Sequence, residues 1–298
     1  MRYQKPVGVV LLLFALAALA VAGLQYWQGR QTFKLTVLSE MPITGINPLP
    51  VAGLGDAPRI TVPETPPAGR TLHVASGATA GGDGSWEHPW KDLQESLCRL
   101  EPGDRLLVLA GGYPGPLSVG EECQDGTPEK PIEVYLSDDA VLSGRATEGP
   151  GDGAVLTLAR SWWRLGGAEI RPLGFKVGIR IGPDVEGVTV DAVHIYGGVG
   201  SGIAIEPGSV EITISRNHLH RLGSPEGGGG GSELADGIGI RIAPGTRAIT
   251  VADTKIHNIF GDPVRVLAPA DYGDPTLAPA ANLSIDDELF QQDQAKWW

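Results

Sequence analysis

The chain has 298 residues, a formal net charge of −12 and a sequence pI near 4.9. This acidic balance argues against nucleic acid and against an anionic lipid surface as partners. Only two cysteines occur. Two cysteines without matching histidine spacing do not make a zinc site, so we expect no metal site of that kind.

An apolar segment opens the chain. Arg2 and Lys5 precede an uninterrupted apolar run over 7–24, long enough to span a membrane or to serve as the apolar region of a signal peptide. Positive charge before the run predicts that the remainder is translocated. Residues 20–22 offer a cleavage site that would release a secreted protein, whereas the aromatic pair at 26–27 favours a retained anchor, which we expect. Both versions place the body outside the cytoplasm, in the periplasm or at the cell surface.

Residues 25–69 are rich in proline and glycine and show no sustained period, which is typical of a linker or an extended strap. The repeats described next, and the stretch before them, assign 70–268 to one folded domain. Residues 269–298 then form a C-terminal cap or tail. Within that last segment, 286–298 has the pattern of a short amphipathic helix, with a disordered tail as the alternative.

One pattern recurs between residues 178 and 266. Gly178-Ile-Arg-Ile181 returns as Gly202-Ile-Ala-Ile205, Gly239-Ile-Arg-Ile242 and Pro263-Val-Arg-Val266, at offsets of 24, 37 and 24. A second motif begins ten residues after the first three copies: Val188-Thr-Val190, Ile212-Thr-Ile214 and Ile249-Thr-Val251. Short β-branched segments at a fixed period are typical of a solenoid, because no single repeat can bury its own apolar face.

The repeats predict a parallel β-helix. Apolar positions alternate with polar or small ones, which is strand period, and the connections are too short for crossover helices. Equivalent strands of successive coils therefore pair, about 4.8 Å apart. The expected core consists of four columns: Ile179/Ile203/Ile240/Val264, Ile181/Ile205/Ile242/Val266, Val188/Ile212/Ile249 and Ile195/Leu219/Ile256. A two-sheet sandwich with accidental self-similarity is the alternative.

The stretch 72–119 carries a family resemblance. It contains, in order, Leu72-His-Val-Ala-Ser-Gly77, Gly81-Gly-Asp-Gly-Ser85, His88-Pro-Trp90, Pro102-Gly-Asp104, Leu107-Val-Leu109 and Gly112-Tyr113. These motifs resemble the opening module of right-handed parallel β-helix proteins of the pectate lyase-like superfamily, and the resemblance covers roughly 70–268. It implies that fold, all-β, with an N-terminal capping helix. It is weakly informative about activity, because the superfamily includes lyases, hydrolases, epimerases and non-catalytic surface proteins.

A helix over about 90–100 is expected to cap the first coil. Leu93, Leu97 and Leu100 fall on one face, where they would cover the coil's unpaired edge and core side chains. Cys98 lies in this helix and Cys123 follows the next strand. An oxidising compartment and an even count favour one disulfide between them, with two unpaired thiols as the alternative.

Basic and imidazole groups fall in outward columns of the predicted coils. The first column contains Arg180, Ala204, Arg241 and Arg265; the next two contain His194, His218 and Lys255, and Tyr196, His220 and His257. Four of the six histidines lie there. In the resembling family the saccharide groove runs along the arginine-type strand, walled by loops such as the glycine-rich insertion at 223–236. The bland alternative for Arg180, Arg241 and Arg265 is that they are solvated outward residues paired with nearby acids. For the histidine columns the bland alternative is that the rings only stack in ladders on the surface.

These residue types suit β-elimination or C5 epimerisation of a uronate. The reaction needs a cation to neutralise the carboxylate, for which Arg241 or Arg265 is available. It also needs an acid and a base, for which His220, His257 or Tyr196 is available. The predicted substrate-binding set is completed by Arg180, His194, His218, Lys255, Glu206 and Asp236.

Other chemistries fit less well. Glycoside hydrolysis needs two carboxylates within about 5 to 9.5 Å, and we expect Glu206 and Asp236 to lie roughly 20 Å apart at opposite ends of the strand. No cofactor is expected. Asp83 and the pair Asp138, Asp139 could ligate calcium, but isolated acidic turns are usually solvated. Asn217, at the turn between two strands of a repeat, is interpreted as structural.

The sequence therefore predicts an extracytoplasmic, membrane-tethered β-helix that engages an acidic polysaccharide. The leading interpretation is a lyase or C5-epimerase. The alternative is a non-catalytic carbohydrate-binding or scaffold protein of the cell envelope, which the absence of the catalytic motifs of the related enzyme families favours.

Overall fold

Three parallel β-sheets wrap around one apolar core. The computed structural model describes residues 62–144, 151–223 and 237–286. Each chain turn contributes one strand to each sheet in sequence, and the equivalent strands of neighbouring turns pair in parallel. This is the parallel β-helix that the repeats predict, and it excludes the two-sheet sandwich.

The described residues form six full coils. The first sheet contains β1 (Thr71–Val74), β2 (Arg105–Val108), β5 (Ile132–Leu136), β8 (Trp163–Gly166), β11 (Thr189–Asp191), β14 (Val210–Ser215), β17 (Arg247–Ala252) and β20 (Ala281–Ile285). The second contains β3 (Gly111–Pro114), β6 (Ala140–Ser143), β9 (Glu169–Arg171), β12 (His194–Tyr196), β15 (His218–His220) and β18 (Lys255–His257). The third contains β4 (Leu117–Val119), β7 (Gly151–Leu158), β10 (Phe175–Ile181), β13 (Ser201–Ile205), β16 (Ile240–Ile242) and β19 (Val264–Val266).

The predicted apolar columns form the core. Ile179 pairs with Ile203, which pairs with Ile240, and all three side chains are fully buried. The columns through Val188 and Ile195 are buried in the same way. One assignment is wrong: Val266 was expected in the core but is 42% exposed. It lies on the last strand of the third sheet in the described residues, so no further coil covers it there.

A short helix closes the N-terminal end. Helix α1 (Leu93–Leu97) is shorter than the helix expected over 90–100. It begins after Asp92, whose carboxylate accepts a hydrogen bond from the Glu95 amide. Leu93, Leu97 and Leu100 are buried in the core as predicted. The Cys98–Cys123 disulfide is present and ties the end of this helix to the segment after β4.

The β-helix extends past its expected C-terminal boundary at residue 268. Helix α2 (Pro269–Tyr272) follows the last coil and ends at Gly273, whose φ of 89° is the left-handed conformation that glycine adopts without strain. The chain then returns to the first sheet as β20, with Leu283 packed against the core. The solenoid therefore continues to Ile285.

Several predictions concern residues outside the described ranges. They are the apolar run at 7–24, most of the linker, the insertion after Gly223 together with Asp236, and the amphipathic pattern after Asp286. Within the described part of the chain, neither helix has the length and apolar character that crossing a bilayer requires.

Candidate functional site

The arginines of the third sheet bind acids of the same chain. Glu206 Oε1 lies 2.8 Å from Arg241 Nη2 and 3.3 Å from Arg180 Nε. The hydroxyl of Tyr272 donates a 3.0 Å hydrogen bond to Glu206 Oε2. As a result the Arg241 side chain is only 10% exposed. The column that was expected to present an open row of cations is thus closed over Glu206, in agreement with the bland alternative.

Arg265, on the last coil, follows the same pattern. Its Nε lies 2.7 Å from Asp262 Oδ2. Ala204 separates the cations of β10 and β16 and leaves room for the Glu206 carboxylate between them. Sequence reasoning placed Glu206 beside the groove, but it did not show that Glu206 bridges two arginines.

The second sheet carries the other predicted residues on its outward surface. Ile170, Ile195, Leu219 and Ile256 point into the core, so the flanking residues on each strand face outward. We call this surface the histidine face; it consists of Glu169, Arg171, His194, Tyr196, His218, His220, Lys255 and His257. The structure therefore brings together all six residues that were predicted from this part of the repeats.

The rings of the histidine face stack on one another. Centroids of neighbouring rings lie 4.7 to 5.3 Å apart, and the ring planes differ by 3° to 29°. Between strands this spacing follows from the separation of strands in a sheet, and within a strand it follows from the two-residue repeat of side chains on one face. Two nitrogen pairs are in hydrogen-bond contact: His194 Nε2 with His220 Nε2 at 2.8 Å, and His218 Nε2 with His257 Nε2 at 2.7 Å. In each pair one ring must donate and the other must accept.

Crowding keeps these imidazoles neutral. Burial, followed by the neighbouring histidines, lowers the pKa of His218 and that of His220 to about 3. Burial also lowers the pKa of His194, with a smaller opposing effect from Glu169. Stacked rings in partial contact with solvent cannot all be protonated, because like charges about 5 Å apart repel. Near pH 7 the face therefore presents unprotonated nitrogens.

A tyrosine, an acid and an arginine form one end of the histidine face. The Tyr196 hydroxyl donates to Glu169 Oε1 at 2.9 Å, and Arg171 Nη2 lies 2.6 Å from the same oxygen. The Arg171 guanidinium lies 5.3 Å from the centroid of the Tyr196 ring. Burial and the Glu169 carboxylate raise the pKa of Tyr196, which therefore keeps its proton.

Sequence reasoning missed Glu169 and Arg171. Both flank Ile170, which stands 25 residues before Ile195. This separation is close to the repeat length, so it could have shown that Glu169 and Arg171 belong to the same outward columns. The coil that contains them lacks the Gly-Ile-x-Ile motif at its start, so the repeat was counted only from Gly178 onward.

The histidine face also holds the potential metal ligands that the sequence did not group. One ring nitrogen from each of His194, His218 and His220 lies within 4.8 Å of the other two. Within the described ranges this is the one place where three potential ligands meet. Asp83, Asp138 and Asp139, considered above for calcium, belong to no such group.

The outward surface of the first sheet forms a broad polar groove of about 320 Å³. Hydroxyls of Thr189, Thr213 and Thr250 line it in one column. The ring of Trp162 forms one wall and lies against the backbone of Gly187; a Cβ at that position would come within 2.2 Å of the ring. The groove thus combines an aromatic surface with a row of hydroxyls.

Asn217 is structural, as expected. Its side-chain oxygen accepts from the Val193 amide at 2.8 Å, and its side-chain nitrogen donates to the Val190 carbonyl at 3.1 Å. The residue is buried at the turn that separates the first and second sheets. It satisfies backbone groups of the preceding coil and so holds the histidine strands in register.

Comparison with solved structures identifies the fold. The pectate lyase Pel9A matches with a TM-score of 0.54 at 15% identity, over 65% of this chain and 50% of that one. The fold is that of the pectate lyase-like β-helix proteins. The chain thus spans half the length of that structure, and the resemblance seen in the sequence is confirmed for the fold.

Two further β-helix structures are similar at lower TM-scores. An alginate lyase from Paenibacillus sp. str. FPU-7 matches at 0.47 and 19% identity, over 75% of this chain and 76% of that one. A rhamnogalacturonan lyase matches at 0.48 and 12% identity, over 75% and 66%. No protein-family model matches the sequence, and comparison with curated proteins gives no match.

Proposed function

We propose that this β-helix protein acts on an acidic polysaccharide outside the cytoplasm, as a lyase or a C5-epimerase. The observation that carries the proposal is the histidine face. Neutral imidazoles and a protonated tyrosine lie side by side there, between Arg171 at one end and Lys255 at the other. These are the base, acid and cations that the reaction needs.

The cations are assigned to the histidine face rather than to the third sheet. Arg171 and Arg241 are each paired with an acid, but the Arg171 side chain is 44% exposed and Lys255 is exposed, whereas the Arg241 side chain is 10% exposed. Arg171 and Lys255 are three coils apart, about 14 Å. That distance suits two carboxylates on one uronate chain. Arg180, Arg241 and Arg265 remain predicted contributors along the neighbouring sheet.

The proposed elimination proceeds through a proton transfer on each side of the sugar. A cation neutralises the uronate carboxylate, which makes the C5 proton more acidic. The imidazole of His220 or His257 accepts that proton, the C4–O bond breaks and a C4=C5 double bond forms. Tyr196 donates its proton to the departing oxygen. In epimerisation the C4–O bond stays intact, C5 takes a proton from water on the opposite face of the ring, and the protonated imidazole returns its proton to the hydroxide that this leaves.

The low pKa of His220 makes it a weak base in the free protein, and binding of the substrate offsets this effect. A bound carboxylate places a negative charge beside the imidazoles, and an opposite charge within about 4 to 6 Å raises a histidine pKa. The proton acceptor thereby becomes stronger when the anionic sugar is present.

NMR of a panel of uronate polysaccharides, incubated with the purified full chain with and without calcium, tests the proposal. New signals of an unsaturated or an inverted uronate are expected. Tyr196→Phe and His220→Gln should each lower the rate about 100-fold or more, because general acid–base groups contribute that much. The matched control is His88→Gln, an exposed histidine of the N-terminal loop, which should keep the wild-type rate. Unchanged spectra for every polymer would refute the catalytic proposal.

A non-catalytic carbohydrate-binding protein is the second candidate. The groove on the first sheet favours it, because sugar rings stack on aromatic side chains and their hydroxyls pair with polar groups such as the threonine column. The closed arrangement around Glu206 favours it as well. In the same experiment this candidate predicts broadened signals for one polymer without new ones, and loss of the broadening in Trp162→Ala.

The extracytoplasmic location and the membrane anchor are also part of the proposal. The Cys98–Cys123 disulfide supports an oxidising compartment. The apolar run at 7–24 supports an anchor that keeps the β-helix at the membrane. Fractionation of cells that express the full chain tests this point. We expect the protein in the membrane fraction, with its disulfide formed and with its β-helix accessible to protease added from outside. A soluble protein with reduced cysteines would contradict the proposed location.

A further inference from the structure

We propose that His194, His218 and His220 form a binding site for one divalent late transition-metal ion, for which Zn²⁺ is the probe. One ring nitrogen from each histidine lies within 4.8 Å of the other two; His194 lies on β12, and His218 and His220 lie on the adjacent strand β15. Three histidines with open coordination positions are a ligand set of catalytic zinc. The inference does not depend on the activity proposed above.

The spacing of one nitrogen pair, His194 and His220, is close to that of a bound site. Zinc–nitrogen bonds of about 2.0 to 2.1 Å at tetrahedral angles place ligand nitrogens about 3.3 Å apart. His194 Nε2 and His220 Nε2 are 2.8 Å apart. An ion between them would separate the two nitrogens by about half an ångström and replace their hydrogen bond. The proton of the donating ring would move to its Nδ1, so that both Nε2 lone pairs face the ion.

One nitrogen of the His218 ring has no contact to lose when an ion binds. His218 Nδ1 is buried without a hydrogen-bond partner, whereas Nε2 of the same ring contacts His257. The ring therefore has unused binding capacity on its Nδ1 side.

The surroundings of the three histidines decide which ion fits. Lys255 pairs in register with His218 and opposes a cation, but its side chain is exposed, so water screens much of the repulsion. His257 contacts His218 Nε2 and can orient that ring. Glu169 lies one coil before His194 and adds negative charge. Imidazole ligands favour zinc, copper, nickel and cobalt over calcium and magnesium.

A bound ion would change the chemistry of the face without removing its base. With three histidine ligands the ion retains open positions for water or for a carboxylate of the substrate, and it would neutralise that carboxylate more strongly than a partly exposed arginine. His257 is left as the imidazole that can accept a proton.

Titration of the full, chelator-treated chain with Co²⁺ tests the site without any glycan. Absorption in the visible range is expected to rise to saturation at one ion per chain, with the intensity typical of four or five ligands, and Zn²⁺ should displace the cobalt. Calcium should compete with neither ion. Absence of a one-equivalent transition would overturn the site and would leave the activity proposal untouched, because that proposal is measured on the glycan.

Substitution locates the ion. His218→Gln and His220→Gln should each weaken Co²⁺ binding at least ten-fold, while His88→Gln should bind like the wild type. Binding that survives in the double variant His218→Gln/His220→Gln would contradict the assignment. Should a variant fail to fold, long-range ¹H–¹⁵N spectra of the wild type decide instead. Zn²⁺ should shift the ring nitrogens of His194, His218 and His220, and shifts confined to the other histidines would refute the site.

Discussion

At the scale of the residue, the environment of each imidazole depends on its neighbours in the stack. Protonation of His218 and His220 is unfavourable because each ring is partly removed from water and lies beside other histidines. The groups that face them are Glu169, Arg171, His194, Tyr196, Arg221, Lys255 and His257. Only one of these groups, Glu169, is an acid, and it pairs in register with His194 rather than with His218 or His220. No acid therefore offsets a positive charge on the latter two rings.

The first prediction is that the metal-free protein loses stability as the pH falls. The pKa of His218 and of His220 is about 3 when folded and near 6.5 when unfolded, so the unfolded chain binds more protons between these values. The stabilising contribution is fully present above pH 6.5 and declines toward pH 3. Urea unfolding with a chelator present should show a free energy of unfolding that rises with pH across this range, with a shallower slope than fully buried groups would give because water reaches both rings.

The variant His218→Gln/His220→Gln is the comparison for this slope. It should lose less stability than the wild type between pH 6.5 and pH 4, because its glutamines do not titrate. His88→Gln should follow the wild type. Equal slopes for the double variant and the wild type would show that the stacked rings do not titrate as described.

At the same scale, the sequence located the histidine face but not its chemistry. The period of about 24 residues placed His194 beside His218 and Tyr196 beside His220, because pairing in a β-helix follows directly from the repeat. The partners of Tyr196 were missed because they lie in a coil without the repeat motif. The bridge from Glu206 to Arg241 was missed because side-chain rotamers, rather than register, decide which acid meets which base.

At the scale of the element, helix α1 and the disulfide act together on the N-terminal coil. Leu93 and Leu97 bury against the core, and Cys98 at the end of the helix is bound to Cys123. A five-residue helix has little stability of its own, so its position depends on these contacts. The expected helix over 90–100 was too long at its start because Trp90 pairs with Val74 in extended conformation and Asp92 caps the first turn, so that the helix begins at Leu93.

The second prediction concerns this disulfide. The bridge closes a loop with a sequence separation of 25 residues, and restriction of the unfolded chain by such a loop is worth about 3 to 4 kcal/mol. Cys98→Ser/Cys123→Ser should lower the free energy of unfolding by this amount, measured by urea denaturation. Reductant should produce the same loss in the wild type and no further loss in the double variant. A sensitivity of the variant to reductant would contradict this assignment.

At the scale of the whole molecule, the coils stabilise one another as neighbours. An interior strand of the third sheet is paired on both sides, whereas β19, the last strand of that sheet in the described residues, is paired on one side. Ile205 is fully buried and Val266, in the same column two coils later, is 42% exposed. In a solenoid, stability is approximately a sum over repeats and their nearest-neighbour interfaces.

The third prediction is that truncation to alanine lowers the free energy of unfolding by different amounts at two positions of one column. Ile205→Ala should lower the free energy of unfolding by about 2 to 5 kcal/mol, because it leaves a cavity between two coils. Val266→Ala should cost less than about 1 kcal/mol, because water already reaches the side chain. Urea unfolding of both variants measures the difference. Comparable losses would mean that the last coil is covered as well as the interior ones.

The fold was predictable at this scale because the period of the repeat determines which residues of successive coils pair. Ile179, Ile203 and Ile240 share one environment, so that three copies of a pattern supported a single conclusion. The ends were less predictable. Return of the chain to the first sheet at Ala281–Ile285 follows a segment with no repeat motif, and its docking depends on contacts made by only a few side chains such as Leu283.

The register of the second sheet has one more consequence. His194, His218 and Lys255 pair directly, without stagger, and so do Tyr196, His220 and His257. The direction of every side chain is preserved from coil to coil. The length of this surface can therefore change without a change in its residues, and a residue can change without a change in length. Duplication of one 24-residue coil would lengthen the surface by about 4.8 Å, whereas a point substitution would alter a single rung. The length of this surface can therefore change in whole steps of one coil while the residues at each step are retained.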